Sequence, residues 1–170
     1  MEYEYHTHEF PPLYDANSRI LILGSFPSVK SREAQFFYGH PQNRFWKILA
    51  ALTDEALPQT IEEKRSLALR HGIALWDVIE ECEIKGSSDS SIRNVVPTDI
   101  PAVLKAAPIR QIYTNGNLAT RLFEKYQEGV CGCRTIGLPS TSPANAAWTL
   151  PKLMEKWSVI REYLRDGKQL

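Results

Sequence analysis

The amino-acid sequence predicts an α/β protein, specifically a three-layer α/β/α sandwich around a central four-stranded, mainly parallel sheet. Two observations support this fold class. Four short apolar runs are nearly continuous rather than alternating, as expected for strands that are covered on both faces. These runs alternate with segments of helical periodicity, and such alternation is typical of a parallel sheet packed between helices.

The four candidate strands are RILILGSF (19–26), IALWDV (73–78), IRQIYTN (109–115) and CRTIGLPS (133–140). Five helices are predicted, at residues 44–52, 61–70, 100–106, 117–127 and 150–164. The helix at 44–52 places Phe45, Ile48 and Leu52 on one face. The last helix carries Trp157 and Ile160 at core spacing, so both helices are expected to pack on the sheet.

Length and composition favour a single globular domain covering residues 1–170. A chain of 170 residues is long enough for one full core, and its apolar share of 43% and charged share of 24% are ordinary. The formal net charge of +0 argues against binding of nucleic acid or membranes by bulk charge, although it is compatible with a local basic patch. No apolar run approaches the roughly 18 residues of a membrane span, so no membrane partner is expected.

The first ten residues, MEYEYHTHEF, are acidic and aromatic and resemble neither a signal peptide nor a transit peptide. We therefore expect a cytoplasmic protein, associated with the nucleoid if the source is bacterial, and a monomer. Cys82, Cys131 and Cys133 lack the spacing of a disulfide framework or a zinc site, and three cysteines are too few for the usual iron–sulfur cluster. They are expected to be reduced and structural, and no metal is expected.

Small and polar residues follow each predicted strand, as GSFPS (24–28), WD (76–77), TNG (114–116) and LPSTSPAN (138–145). Ligands of such parallel sheets bind outside the carboxyl ends of the strands, so these segments are expected to meet at one site, although the same composition is normal for loops. No segment carries a phosphate-binding GxxxxGKS/T or GxGxxG pattern or a GxSxG nucleophile elbow. Four histidines also offer few candidates for a Ser-His-Asp triad.

The segment FFYGHPQNRFW (36–46) packs aromatic and amide residues closely after the first strand. Phe36, Phe37 and Tyr38 are candidates to stack on a flat ligand. The alternative is that two of the three belong to the core, with Phe37 or Tyr38 facing a pocket. The Phe-Trp pair at 45–46 lies at helix spacing and is expected in the core.

Four segments together carry a resemblance to a known family: GSFPSVKSREAQFFYGHPQNRFWKIL (24–49), GIALWDVIEECEIKGSSDSSI (72–92), IYTNGNLATRLF (112–123) and LPSTSPANA (138–146). In this order they resemble the motifs of the uracil-DNA glycosylase superfamily. They are most similar to the hypoxanthine-DNA (deoxyinosine) glycosylase family, with the mismatch-specific uracil/thymine glycosylases next.

The resemblance implies an α/β/α fold and a monofunctional DNA glycosylase. Such an enzyme flips a deaminated base, hypoxanthine or uracil, out of DNA and hydrolyses its N-glycosidic bond, leaving an abasic site. The resemblance implies neither a metal nor an organic cofactor. A second interpretation is a non-catalytic protein that binds nucleic acid or a nucleotide on the same scaffold.

Two departures from the wider superfamily keep the second interpretation open. The classical uracil enzymes have an Asp in the first motif and the mismatch enzymes an Asn, where this chain has Phe26. The fourth motif of the classical enzymes begins with His, where this chain has Leu138. By elimination, Asn43 is the expected catalytic residue, either orienting a water or bonding the base. It is also suited to capping the helix at 44–52.

The resemblance implies that a flipped base is held by Gly24, Ser25, Phe26, Phe37, Tyr38, Asp77 and Asn115. Uracil and hypoxanthine share a ring N–H beside a carbonyl, so a site that offers an acceptor and a donor rejects the normal amino bases. Asp77 or a backbone carbonyl could be the acceptor, and backbone N–H groups after Gly24 or an Asn amide could be the donor. Asp77 is equally consistent with a residue that caps a turn.

Contacts to the DNA are expected from Ser28, Lys30, Ser31, Arg32, Ser88, Ser140, Ser142, Pro143, Ala144 and Asn145. Lys152 is a further candidate, whereas Lys30 and Arg32 are equally consistent with solvated surface charges. Arg44 is expected to contact DNA or to pair with a carboxylate. By the resemblance, the loop at 143–145 supplies the wedge that enters the duplex, and its small side chains suit bases that are already poorly paired.

Overall fold

The computed structural model describes residues 2–86 and 88–165. Its strands are β1 (Tyr3–Thr7), β2 (Ile20–Gly24), β3 (Ile73–Asp77), β4 (Ile79–Lys85), β5 (Arg93–Pro97), β6 (Gln111–Asn115) and β7 (Thr135–Leu138). Its helices are α1 (Val29–Ala34), α2 (Phe45–Leu52), α3 (Ile61–Arg70), α4 (Ile100–Ala106), α5 (Asn117–Tyr126), α6 (Glu128–Cys131) and α7 (Leu150–Trp157). No helix within these described ranges is long and apolar enough to cross a membrane.

Strands β2, β3, β6 and β7 form a parallel sheet in the order β3-β2-β6-β7. All residues of β2 and β3 are buried, which explains why both strands are continuous apolar runs in the sequence. The predicted α/β fold with a four-stranded parallel sheet is therefore confirmed. The strands are shorter than predicted, because β2 ends at Gly24 and the next residues, Ser25 and Phe26, lie in the loop after it.

Helices cover both faces of the parallel sheet. Helix α2 packs against α3 and α7, whereas α6 packs against α4 and α5. The chain leaves the central strand β2 for β3 through α1–α3, and it then crosses back over β2 to reach β6. Because such crossovers are right-handed, the two connections place their helices on opposite faces. This reversal opens a crevice between the carboxyl ends of β2 and β6, where sheets of this kind bind ligands.

A second sheet, absent from the sequence-based prediction, has the antiparallel order β1-β4-β5. Its strands are partly exposed and rich in charged residues, so they lack the continuous apolar runs of the parallel sheet. Its inner face buries Ile79, Cys82 and Ile84. Burial raises the pKa of the Cys82 thiol to about 11, so this thiol stays protonated near neutral pH. Only Val78 separates β3 from β4, and the pairing of β1 with β4 therefore brings β1 beside the carboxyl end of β3.

The aromatic segment before α2 is anchored in the core. Phe45 and Trp46 are 0% and 4% exposed, which confirms their predicted core positions. Phe36 is also buried, and its ring stacks on Trp46 with the centroids 6.1 Å apart. Phe36 is therefore a core residue and does not contribute to a stacking surface. The Trp46 indole N–H donates to the Phe37 carbonyl at 3.1 Å, which ties the segment to the helix.

Arg44 holds the loop that follows β7. Its guanidinium donates to the backbone carbonyls of Ser142 at 2.8 Å, of Asn145 at 3.1 Å and of Trp148. Its own backbone N–H donates to the carbonyl of Thr141 at 3.1 Å. The expected contact of Arg44 with DNA or a carboxylate is thus replaced by contacts with the protein backbone. A guanidinium suits this role, because its diverging N–H donors lie in one plane.

Replacing Arg44 by Lys is expected to loosen the loop at 139–148 while the positive charge is kept. An ammonium cannot reach carbonyls spread over Ser142, Asn145 and Trp148, and each lost hydrogen bond from a charged donor costs about 1.5–3 kcal/mol. We expect the loop amides to exchange hydrogen at least roughly 10-fold faster, measured by hydrogen–deuterium exchange mass spectrometry. The control is Arg121→Lys on an exposed position of α5, and equal exchange in both variants would contradict this role of Arg44.

Candidate base-binding site

A cavity of about 1000 Å³ lies at the carboxyl ends of the parallel strands, over the crevice between β2 and β6. The strand-end residues Gly24, Asp77, Asn115 and Leu138 all border it. A volume of this size is at the upper end of the range for ligand-binding clefts, so the cavity can hold a nucleotide-sized ligand.

Most of the residues predicted from the sequence border this cavity. All the predicted base-binding residues and Asn43 do so, namely Gly24, Ser25, Phe26, Phe37, Tyr38, Asn43, Asp77 and Asn115. The predicted DNA contacts that border it are Ser28, Lys30, Ser31, Arg32, Ser140, Ser142, Ala144 and Asn145. In the part of the chain that the structure describes, Ser88, Pro143 and Lys152 lie outside its lining. Lys156 on α7 lines it and was missed, because its position in the helix pattern carries no functional signal.

Gly24 is required by the close approach of two polar side chains. A Cβ at this position would collide with the Asp77 carboxylate oxygen Oδ1 and would lie 3.4 Å from the Tyr38 hydroxyl. The Asp77 carboxylate and the Tyr38 phenol therefore meet over the end of β2. Phe26 and Leu138 stand where the resemblance places polar catalytic groups, and both border the cavity with side chains that cannot titrate.

Tyr38 is held in a backbone conformation that few residues adopt. Its φ of 53° lies in the left-handed region, which is unfavourable for an aromatic residue and recurs at functional sites. Its ring stacks on Phe45 with the centroids 4.0 Å apart and an interplanar angle of 23°. One ring face is therefore supported by the core. Phe37, by contrast, is 4% exposed and packs edge-on against Phe10 at 4.8 Å.

The Tyr38 hydroxyl is buried and makes no hydrogen bond within the described residues. Burial, and to a lesser extent the negative charge of Asp77, raise the pKa of Tyr38. The nearby Asn115 side chain lowers this pKa, but by less than burial and Asp77 raise it, and it does not form a hydrogen bond with the phenol. The phenol is consequently neutral at physiological pH.

Thr141 orients both Asn43 and Asn115. The Asn43 oxygen Oδ1 accepts from the backbone N–H of Phe45 at 2.9 Å and from the Thr141 hydroxyl at 2.8 Å. Asn115 donates through Nδ2 to the Thr141 hydroxyl and accepts through Oδ1 from the Thr141 backbone N–H, each at 3.0 Å. Because a backbone N–H can only donate, these contacts fix which end of each amide is the oxygen.

The Nδ2 group of Asn43 is the end that remains free. It has no hydrogen-bond partner among residues 2–86 and 88–165, and Asn43 borders the cavity. The N-cap of α2 is Arg44, so Asn43 lies one residue before the predicted cap position. Its oxygen still satisfies the Phe45 N–H in the first turn of α2, and its Nδ2 offers the cavity a donor at the positive end of that helix. The two predicted roles are compatible, because the structural contacts use the oxygen alone.

Asp77 forms a buried pair with His8, a residue that the sequence analysis did not single out. His8 Nε2 lies 2.7 Å from Asp77 Oδ2, and the two side chains are 1% and 7% exposed. The other carboxylate oxygen, Oδ1, has no hydrogen-bond partner within the described chain and lies over Gly24 beside the cavity. The sequence carries no signal for His8, because its contact with Asp77 depends on the pairing of β1 with β4.

The residues after β2 form a structured rim. Ser31 is 3% exposed, and its hydroxyl accepts from the Gly39 backbone N–H at 3.0 Å, so its side chain stabilises the loop rather than facing solvent. Arg32 contacts His6 Nδ1 at 2.7 Å and lies 5.8 Å above the Phe26 ring. Lys30 is exposed and pairs with a glutamate one helical turn away at 3.5 Å. Arg32 and Lys30 thus place positive charge beside the cavity.

Comparison with known proteins gives matches along most of the chain. The family model described as the uracil DNA glycosylase superfamily matches residues 11–165. A protein of Methanosarcina acetivorans named hypoxanthine DNA glycosylase is 36% identical over 154 residues, which are 89% of this chain and 96% of that relative. A protein of the same name from Methanosarcina barkeri is 36% identical over 109 residues, 63% of this chain and 69% of the relative.

A solved structure shows the same fold. A solution NMR structure from Methanosarcina acetivorans, described as a candidate uracil DNA glycosylase, superimposes with a TM-score of 0.77 at 34% identity. The match covers 89% of this chain and 94% of that structure. The family predicted from the four motif segments is confirmed by these matches, and with it the prediction of a DNA glycosylase. The chain belongs to the uracil DNA glycosylase superfamily.

Proposed function

We propose that this protein excises deaminated bases, hypoxanthine and uracil, from DNA by hydrolysing the N-glycosidic bond. The observation that carries the proposal is the free Nδ2 donor of Asn43, fixed beside the same cavity as the Tyr38 ring and the Asp77 carboxylate. A site for a flipped base needs an aromatic platform, a group that reads the base edge and a group that stabilises the departing base. The relatives named hypoxanthine DNA glycosylase support the choice of substrate.

Tyr38 is the proposed stacking platform. Phe45 supports one face of its ring at 4.0 Å, and stacking of a base on the other face contributes roughly 1–3 kcal/mol. Phe37 is a weaker candidate, because neighbouring rings already cover it. Asp77 then accepts a hydrogen bond from the ring N–H that uracil and hypoxanthine share and that adenine and cytosine lack at the same ring position.

Asn43 is the proposed catalytic residue. In hydrolysis, the bond between sugar C1′ and the base nitrogen breaks, and its electron pair leaves with the base. A water oxygen forms the new bond to C1′, and a water proton is taken up by the departing base. Negative charge develops on that base, and the Asn43 Nδ2 donor stabilises it. Because Oδ1 is occupied by Phe45 and Thr141, Asn43 acts as a donor to the base and not as the acceptor that orients the water.

The rim supplies the proposed DNA contacts. Lys30, Arg32 and Lys156 give a local positive edge on a chain whose net charge is +0, and phosphates bind to such an edge. The loop held by Arg44 presents small residues, Pro143 and Ala144, at the place of the duplex wedge. Small side chains penetrate a paired duplex poorly, which favours bases that are already weakly paired.

The activity is tested with duplex and single-stranded oligonucleotides that contain one hypoxanthine or one uracil. We expect strand breaks only after alkali treatment, because hydrolysis without a lyase step leaves an intact abasic strand. Matched strands with adenine or cytosine at the same position are the control and should stay intact. The absence of alkali-labile sites with both deaminated bases would favour the alternative, a non-catalytic nucleic-acid-binding protein.

Asn43 variants separate the donor role from the acceptor role. Asn43→Asp keeps the oxygen that Phe45 and Thr141 bind but removes the Nδ2 donor, so we expect single-turnover excision to fall by roughly 100-fold or more, as in Asn43→Ala. If Asn43 instead orients water through an acceptor, the Asp variant should retain much of the rate. Thr60→Ala, which removes the cap of α3, controls for the stability cost of losing a cap, about 1 kcal/mol.

Variants of the aromatic segment distinguish platform from core. Tyr38→Leu should weaken excision by roughly 10-fold through loss of base stacking, whereas Tyr38→Phe should retain excision and should not lower the melting temperature, because its hydroxyl is buried without a partner in the described chain. Phe36→Leu should lower the melting temperature while leaving the excision rate of the folded enzyme near that of the wild type. A loss of activity in Phe36→Leu at temperatures where it is folded would contradict this division.

A further inference from the structure

We propose that His8 is a positioning residue that binds one oxygen of the Asp77 carboxylate and so turns the other oxygen toward the cavity, where it accepts a hydrogen bond from the ring N–H of the bound base. This inference rests on the proposed function and adds the residue that sets which bases the site accepts. His8 does not border the cavity and acts only through Asp77.

The His8 and Asp77 side chains make a short contact that is shielded from solvent. His8 Nε2 and Asp77 Oδ2 are 2.7 Å apart, with side-chain exposures of 1% and 7%. The His8 backbone N–H donates to the Glu80 carbonyl at 2.7 Å, which extends the pairing of β1 with β4 by one residue. The backbone of both partners is thus fixed by β-structure, and their side chains meet without room for water between them.

Aromatic rings surround the His8 imidazole, and among the described residues its one side-chain hydrogen bond is to Asp77. The rings of Phe10, Phe26, Phe37 and Trp76 lie 4.6–6.5 Å from the imidazole, centroid to centroid. The Nδ1 atom is buried and has no hydrogen-bond partner in the described chain. The aromatic rings therefore orient the imidazole, and its one polar contact is used to orient a carboxylate.

The Asp77 oxygen Oδ1 is left with an unfilled acceptor position. It packs over Gly24, where even a methyl group would collide with it, and no donor in the described chain reaches it. Asp77 borders the cavity, so a ligand N–H can fill this acceptor position in place of water. Hypoxanthine N1–H and uracil N3–H supply such a donor. The N1 atom of adenine and the N3 atom of cytosine are acceptors, which the carboxylate repels.

Single-turnover excision from duplexes that contain hypoxanthine or unsubstituted purine tests this role. Purine has the same ring system but lacks both the ring N–H and the carbonyl. In His8→Phe, which keeps a ring but removes the donor, we expect hypoxanthine excision to fall at least roughly 10-fold and the hypoxanthine-to-purine rate ratio to fall with it. His8→Gln, which keeps an N–H donor, should restore the ratio to within about 3-fold of the wild type.

The matched control is His71→Phe. His71 also pairs with a carboxylate, with Nε2 2.8 Å from Glu55, but this pair is only partly buried and neither residue borders the cavity. This variant should lose stability and keep the wild-type rate ratio. Wild-type protein that excises neither hypoxanthine nor uracil would overturn the proposed function. Active wild-type protein whose ratio is unchanged in His8→Phe, or is not restored in His8→Gln, would overturn the role of His8 alone.

Discussion

The hydrogen bonds of one guanidinium, that of Arg44, organise the site. Its N–H groups donate to the backbone carbonyls of Ser142, Asn145 and Trp148. These hydrogen bonds fix the loop after β7 against the first turn of α2. The loop in turn places Thr141, whose hydroxyl and backbone N–H orient the amides of Asn43 and Asn115. Two segments far apart in sequence thus share one network, and the free donor of Asn43 has a defined direction because residue 44 cannot move independently.

The other half of the site shows the opposite condition, polar groups without partners. The Tyr38 hydroxyl is buried without a hydrogen bond in the described chain, and Tyr38 also has a left-handed φ. The Asp77 oxygen Oδ1 faces the cavity and accepts no hydrogen bond from the described residues. The unbonded hydroxyl and the backbone conformation of Tyr38 each cost about 1–3 kcal/mol in a folded protein. The packing of β2, all of whose residues are buried, and the stack of Tyr38 on Phe45 offset this cost in free energy. The site is therefore prepared for a ligand before the ligand arrives.

The parallel sheet, its helices and the family could be predicted from the sequence, because a buried strand must be apolar and the motif segments are long. The antiparallel sheet could not, since a strand such as β4, with three Glu among its seven residues, lacks a continuous apolar run. Gly24, Asp77 and Asn115 were expected at strand ends and border one cavity. The contacts of Arg44 with backbone carbonyls and of His8 with Asp77 leave no trace in residue order, because both depend on tertiary placement. The roles of the site residues remain predictions.

The antiparallel sheet also has a consequence for how the site assembles as the chain folds. His8 and Asp77 are separated by 69 positions, and β1 can pair only after β4 has been formed. The contact is therefore non-local, as are the pairings of β2 with β3 and with β6. Until β1 docks, the Asp77 carboxylate lacks its His8 partner and is not held in one orientation. Under the role proposed for His8, the ability to distinguish bases therefore depends on the docking of β1 as well as on the parallel sheet.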